Sequence, residues 1–279
     1  MRHRERYVVP GGVAVISGAA GGIGSALATN LAGRGSHLAL TDQEGTGLPE
    51  LVDNLREAFP GQRITGYERN LQDREVPPWL MDQVLMDHGH LTLLINNAGV
   101  ALGGRFEQVT MDDVDWLMDI NLRAIMALTS AALPHLHAGS QVTNISSLFG
   151  LIAPVGNAPY AASKFGVRGF SQALRVELRP RGTGVTTVFP GGIRTQIAAR
   201  ARRGARVSDE EWRDGQELFT KMLTIEPSRA AGRIVQGTIN RRARVLIGSD
   251  AYVGDLLGRI TPSRSTDILE SLIRFKARW

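Results

Sequence analysis

The stretch Val13 to Gly35, "VAVISGAAGGIGSALATNLAGRG", decides how the rest of the chain is read. "VAVIS" is a short apolar run of the length of a buried strand. A glycine-rich turn follows, and then "SALATNLA", small and apolar enough to be a packed helix. Gly18, Gly22 and Gly24 stand in the arrangement G-x-x-x-G-x-G, with Ile23 between the last two. A turn without Cβ atoms lets backbone N–H groups and the positive end of a helix face a pyrophosphate. A glycine string alone is weak evidence, but at the first strand–helix junction of an alternating chain it points to a dinucleotide.

The alternation is there. Apolar or β-branched runs recur at 13–17, 37–41, 63–67, 91–95, 141–145, 185–189 and 244–248, and most are separated by segments of helical period. Such a β-α-β-α order predicts one α/β domain, a doubly wound parallel sheet of about seven strands with helices on both faces. Two helix starts are legible: Thr110 with Asp113 ahead of a long helix through 136, and Ser208 with Glu211 ahead of another.

The second strand ends at Asp42, 18 residues after Gly24. A carboxylate there accepts hydrogen bonds from adenosine ribose hydroxyls and repels a 2′-phosphate. No Lys or Arg occupies positions 19–21 or 43, so NAD(H) is expected over NADP(H). Further on, "PYAASKFG" places Tyr160 and Lys164 four residues apart, on one helix face. An ammonium beside a phenol favours its ionisation, although surface Tyr/Lys pairs are common and the pair alone leaves both readings open.

Composition narrows the classes. The 279 residues contain no cysteine, which excludes disulfides, thiolate metal sites and cysteine nucleophiles. No window approaches the roughly 18 apolar residues of a membrane helix, and the basic N-terminus leads into no signal-like apolar run, so a soluble cytoplasmic protein is expected. The net charge is +5. Arginines gather at 194, 200, 202, 203 and 206, and again at 241, 242 and 244. They suit either acidic partners or a solvated loop, and no aromatic residue is interleaved with the first cluster as single-strand nucleic acid binding favours. The pairs His88/His90 and His135/His137 fall at predicted helix ends without a third ligand, so no metal site is expected.

Taken together the motifs resemble the short-chain dehydrogenases/reductases over roughly residues 10–250. "SGAAGGIG" (17–24) is similar to the family's TGxxxGxG, with Ser17 in place of threonine. "NNAG" (96–99), Asn121 in "DINLRA", the serines 146–147, "YAASK" (160–164) and "PGGIRT" (190–195) follow in family order. The resemblance implies an oxidoreductase that passes a hydride between NAD(H) and a secondary alcohol or ketone. It makes Tyr160 the general acid/base and Lys164 its electrostatic partner and a ligand of the nicotinamide ribose. Ser147, 13 residues before Tyr160, holds the substrate oxygen, with Ser146 the competing choice, and Asn121 orients a water on the lysine. The cofactor set it implies is Ser17, Gly18, Gly22, Ile23, Gly24, Asp42, Asn70, Leu71, Asn97, Ala98, Gly99, Tyr160, Lys164, Pro190, Gly191, Ile193 and Thr195. Asn97 to Gly99 belong near the adenosine end, and Ile193 and Thr195 at the nicotinamide carboxamide. Asn70-Leu71 departs from the family's usual Asp-Val, leaving an uncharged amide for adenine.

The same resemblance implies a homodimer or homotetramer pairing through the helices of Asn121 and Tyr160. Specificity is expected from two segments. The apolar one, 148–158, suits an apolar substrate or packs on a neighbouring helix, and the other, 196–226, forms a lid whose arginines face either an anionic substrate or water. The extension 250–279 reads first as a subunit-docking element and second as peripheral membrane contact. The competing functions are a dinucleotide-binding sensor or scaffold without turnover, and a nucleic-acid binder, which the block of motifs disfavours.

Overall fold

A computed structural model describes residues 6–268. Its main sheet has seven parallel strands: β1 (Val13–Ser17), β2 (His37–Asp42), β3 (Ile64–Glu68), β4 (Leu93–Asn96), β6 (Gln141–Ile145), β7 (Gly184–Pro190) and β9 (Arg244–Ile247). They lie in the order β3-β2-β1-β4-β6-β7-β9. A second, two-stranded parallel ladder pairs β5 (Leu102–Gly103) with β8 (Arg202–Arg203). The helices are α1 (Gly22–Ala32), α2 (Leu48–Ala58), α3 (Val76–His88), α4 (Met111–Met118), α5 (Ala124–Ala132), α6 (Ala158–Glu177), α7 (Asp209–Met222), α8 (Pro227–Ile239) and α9 (Ser249–Ile260).

The two faces of the sheet follow from the period of two along each strand. In β1, Ala14 and Ile16 join a core with Leu27 and Leu31 of α1 and Ile234 of α8. Val13 and Val15 point the other way, among Leu80 and Val84 of α3, Leu128 of α5 and Leu174 of α6. Every residue of β1, β4 and β6 is buried, as parallel strands covered on both faces require. The order reverses at β1, which has β2 on one side and β4 on the other. The carboxyl ends of β1 and β4 therefore open the crevice in which such sheets bind ligands. This is the expected doubly wound fold, with strand limits shifted by one or two residues.

Both anticipated capping boxes form: Asp113 N donates to Thr110 Oγ1 (3.2 Å) and Glu211 N to Ser208 Oγ (3.2 Å). The long helix expected over 111–136 is not continuous. It passes through a π-helical segment, Asp119–Arg123, between α4 and α5, and ends in a 3₁₀ turn at Leu133–His135. Asn121 lies inside the π segment, and its side chain accounts for the irregularity, as described below. Among the described residues no helix is long and apolar enough to cross a membrane.

Two helical glycines separate intrinsic propensity from packing. Gly24→Ala and Gly232→Ala carry the same helix-propensity gain, up to about 1 kcal/mol. A Cβ on Gly232 meets nothing within 4 Å, whereas one on Gly24 runs into the Gly18 carbonyl and Ala19. Thermal unfolding is expected to show Gly232→Ala raising Tm by about 2–4 °C and Gly24→Ala lowering it; a rise in both would deny the close approach at Gly24.

Candidate active site

The crevice is built on Ser17. Its hydroxyl accepts hydrogen bonds from the backbone N–H groups of Asn97 and Ala98, both at 3.1 Å. Asn97 Nδ2 donates in return to the carbonyls of Ser17 (3.1 Å) and Gly18 (2.9 Å). Gly18 adopts φ +63°, and a Cβ there would stand 2.7 Å from Ala98 Cα. Thus the glycine turn and the "NNAG" turn lie directly on each other. The hydroxyl is what this position needs, which explains how serine replaces the family's threonine. Ser17→Ala leaves two backbone donors without an acceptor, a cost of about 1–3 kcal/mol. Ser17→Thr retains the acceptor, so Tm should fall by several degrees in the alanine variant alone.

Residues 18–24 fit a dinucleotide. No side chain caps α1, and its first turn holds no acidic residue, so its amides and its positive end face the crevice. Thr195 Cγ2 would lie 2.9 Å from a Cβ on Gly22, which seats the "PGGIRT" segment over the same turn. Ile193 is buried and Pro190 ends β7. Asp42 Oδ2 accepts from Ala20 N (2.9 Å) and Oδ1 from Gln43 N (2.8 Å), placing the carboxylate at the glycine turn. Burial raises its pKa, opposed by these two hydrogen bonds and by the charge of Arg200. The charge of that arginine, in the segment after Thr195, acts on Asp42, a cation that inspection of neighbouring positions does not find. Asn70 Oδ1 accepts from Gln72 N at 3.0 Å, within its own turn, while Leu71 packs on the core.

The catalytic candidates converge at the ends of β4 and β6. Ser147 faces the Tyr160 phenol closely enough to act on its ionisation, lowering its pKa. Ser147 Oγ also accepts from Phe149 N (3.1 Å), which orients the hydroxyl as a donor. Ser146 is the structural serine, buried and donating to Lys164 O at 2.8 Å. Lys164 is buried, its Nζ donating to Ile145 O (3.3 Å) and lying 5.8 Å from the centre of the Tyr160 ring. Asn121 Oδ1 accepts from Val100 N (2.8 Å), and its Nδ2 donates to Val100 O (3.0 Å) and Ser163 Oγ (3.2 Å). The π segment thereby joins the loop after β4 to the helix of Tyr160. Gly99, assigned by resemblance to the adenosine end, stands among the catalytic side chains: a Cβ there would be 3.2 Å from Lys164 Nζ and 3.3 Å from Asn121 Oδ1.

Burial sets the ionisation in the protein itself. It raises the Tyr160 pKa, with Ser147 a smaller opposing effect, and lowers Lys164 to about 8. The expectation that Lys164 by itself favours the phenolate is therefore outweighed by desolvation.

The walls differ from the expected ones. Leu148, Leu151 and Ile152 are core residues. They pack under α9, where a Cβ on Gly254 would be 3.1 Å from Ile152 Cδ1 and one on Gly258 3.0 Å from Leu151 O. Of the apolar segment, Phe149 remains beside Tyr160, edge-on at 6.0 Å. The rest of the apolar surround comes from elsewhere: Val100, Leu102, Val114, Trp116 and Leu117 cluster with Tyr160. Trp212 of α7 lies against Gly103, where a Cβ would be 2.7 Å from its ring. Strictly local reading missed these, because the loop after β4 and the lid are a hundred or so residues apart and meet through the β5–β8 ladder and its flanking contacts.

The lid arginines are mostly engaged. Arg202 stacks 3.9 Å from the Trp116 ring centre and lies 3.6 Å from Asp113. Arg203 pairs with Asp209 and donates to Val207 O, Arg206 donates to Glu107 O (3.0 Å), and Arg194 pairs with Glu226 (2.5 Å).

Comparison with known proteins agrees with this geometry. Residues 12–206 match the model of the short chain dehydrogenase family. SadH, a presumed oxidoreductase of Mycobacterium tuberculosis, is 39% identical over 91% of this chain and 92% of its own length. The 3-oxoacyl-[acyl-carrier-protein] reductase FabG of Thermotoga maritima is 30% identical over 70% of this chain and 80% of its own. A short-chain dehydrogenase/reductase of Burkholderia phymatum solved with NAD superposes with TM-score 0.83 at 25% identity, covering 91% of this chain and 94% of that one. One of Burkholderia cenocepacia solved with NADP gives TM-score 0.75 at 26% identity, over 88% and 99%. The chain belongs to the short-chain dehydrogenase/reductase family of oxidoreductases.

Proposed function

We propose that this chain interconverts an uncharged, apolar secondary alcohol and its ketone, using NAD(H) in preference to NADP(H), with Tyr160 as general acid/base. The observation that carries the reading is the convergence of Ser147, Tyr160 and Lys164 inside an apolar surround whose neighbouring arginines are committed to other groups. A substrate carboxylate or phosphate would find no cation of 194, 202, 203 or 206 without a protein partner.

The bound nicotinamide supplies the hydride acceptor or donor and, when oxidised, a positive charge beside the phenol. Ser147 donates to the substrate oxygen and holds it at Tyr160. In oxidation Tyr160 takes the hydroxyl proton as the carbon gives up its hydride; in reduction Tyr160 returns it. Lys164 keeps a second positive charge near the ring and holds the nicotinamide ribose, while Asn121 keeps Val100 and the Tyr160 helix in register. Phe149, Trp116 and Trp212 exclude water from the reacting carbon. Met126, Phe165 and Val176, exposed on α5 and α6, are consistent with a homodimer or homotetramer formed through those helices.

Assay with NAD⁺ over a panel of secondary alcohols is expected to show turnover that falls about 10²–10⁴-fold in Tyr160→Phe. Full activity in that variant would remove Tyr160 from the proton transfer, and binding of NAD⁺ without turnover of any panel member would favour a sensor. In reduction Tyr160 acts as the acid, and burial keeps it protonated through neutral pH. The ammonium of Lys164 is present below about pH 8 and lost above it. So kcat/KM for NADH should fall as pH rises through about 8. Lys164→Arg, which stays charged, should carry that limb to higher pH in its residual activity.

Cofactor choice is tested separately. Titration should show NADH binding more tightly than NADPH, with Asp42→Ser narrowing the ratio. Arg200→Ala should widen it, because the cation nearest a 2′-phosphate is gone; tighter NADPH binding by the wild type would reject the preference.

A further inference from the structure

The two ends of the lid meet at a single residue, Gly192. The chain leaves β7 through Gly191 and Gly192 and returns at Met222 to Ile225. Gly192 O accepts from both Thr224 N and Ile225 N, each at 3.0 Å. Ile193 and Ile225 form a parallel bridge beside it, and Arg194 N donates to Ile225 O at 2.8 Å. The other backbone group of the same residue, Gly192 N, in the preceding peptide, donates to Asp250 Oδ2 at 2.8 Å. Asp250 lies in the first turn of α9, where its Oδ1 accepts from Ala251 N at 2.9 Å. Each carboxylate oxygen thus has its own backbone donor, one on the lid hinge and one on the helix.

Three glycines make this arrangement possible. A Cβ on Gly191 or on Gly248 would collide with the Asp250 carboxylate, and one on Gly192 with the Met222 carbonyl. Gly191 N meanwhile donates to Ile247 O (2.9 Å), so the hinge is also sewn to the edge strand β9. Downstream of the hinge by one and three residues come Ile193 and Thr195, the latter seated on Gly22 of the dinucleotide turn. Asp250 lies outside residues 12–206, the part that the family model matches.

We infer that Asp250 is a positioning residue: its carboxylate fixes the backbone at Gly192, and through it both hinges of the lid and the Ile193–Thr195 wall of the cofactor crevice. Both of its oxygens are spent on backbone donors, and its role is exerted through them. The catalytic consequence rests on the reading of the crevice as a nicotinamide site, while the hinge itself does not.

Asp250→Asn tests this, since its one side-chain oxygen serves one N–H where the carboxylate serves two. Hydrogen exchange on the full chain should show Thr224 and Ile225 exchanging about tenfold faster or more, the size of a lost charge-assisted bond. KM for NADH should rise several-fold with a smaller change in kcat. Gly191→Ala, which presses a methyl on the carboxylate from the other side, should reproduce both. Asp255→Asn is the control. It breaks the pairs of α9 with Arg244 and Arg259 without touching Gly192, and should leave both readouts unchanged. Wild-type exchange in Asp250→Asn overturns the inference, and so does an equal effect of Asp255→Asn, which would assign the hinge to general docking of α9. If the wild type turns over no substrate, the catalytic reading fails, and exchange at Thr224 and Ile225 still decides the role of Asp250.

Discussion

The contact on which the rest depends is the one between the ends of β1 and β4. A sheet that reverses its order there exposes two strand ends side by side. The loops leaving them must diverge around a ligand and still satisfy their own polar groups. Here the turns rest on each other through Ser17, Asn97 and the Cβ-free surface of Gly18. Because the glycine turn leans on 97–98, the amides of α1 face the crevice. Because Asn97 is held, the chain continues through Gly99 and Val100 to the point where Asn121 receives it. The glycine turn and the loop that leads to Asn121 are thereby parts of one hydrogen-bonded construction, and the π segment is its last member, an irregularity held in place by three bonds to one amide side chain.

Desolvation is the second constraint, and it works against the chemistry before it works for it. Burying a phenol and an ammonium together raises one pKa and lowers the other, which moves both toward their neutral forms. A low-dielectric surround also magnifies any charge placed within it. The same packing that keeps Tyr160 protonated in the protein alone makes its ionisation sensitive to a cation beside it. The phenol is in this sense conditional on what occupies the crevice, a property of burial that the four-residue spacing of Tyr160 and Lys164 does not convey.

What was legible in the chain divides along the range of the interactions. Strand runs and the glycine turn are local, and the sheet, its seven parallel strands and the capping boxes at Thr110 and Ser208 came out as read. The family spacing favours Ser147 over Ser146, and a fact visible only in three dimensions separates the two: Ser146 is spent on the Lys164 carbonyl. Leu148, Leu151 and Ile152 look like a pocket wall in one dimension because an apolar run does not announce which side will be covered. It is α9, a hundred residues later and carrying Gly254 and Gly258 on its inner face, that turns them into core. The π segment was invisible because its cause is a partner at Val100, not a residue type.

The arginine-rich lid carries the most instructive difference between charge counted and charge placed. Read as composition, Arg194 to Arg206 is an electropositive patch in search of an anion. In the fold the guanidinium groups join separate pieces of chain. Arg202 lies flat on Trp116 with Asp113 at its edge, Arg203 ties the start of α7, and Arg206 reaches the carbonyl of Glu107. A planar group with five donors suits this work, since it satisfies carbonyls and carboxylates while its face covers an aromatic ring. The contacts of Arg202 and Arg206 draw the lid toward residues 100–117, and those of Arg203 brace the lid within itself. Cations that composition alone reads as an anion site instead help to build the apolar surround of Tyr160.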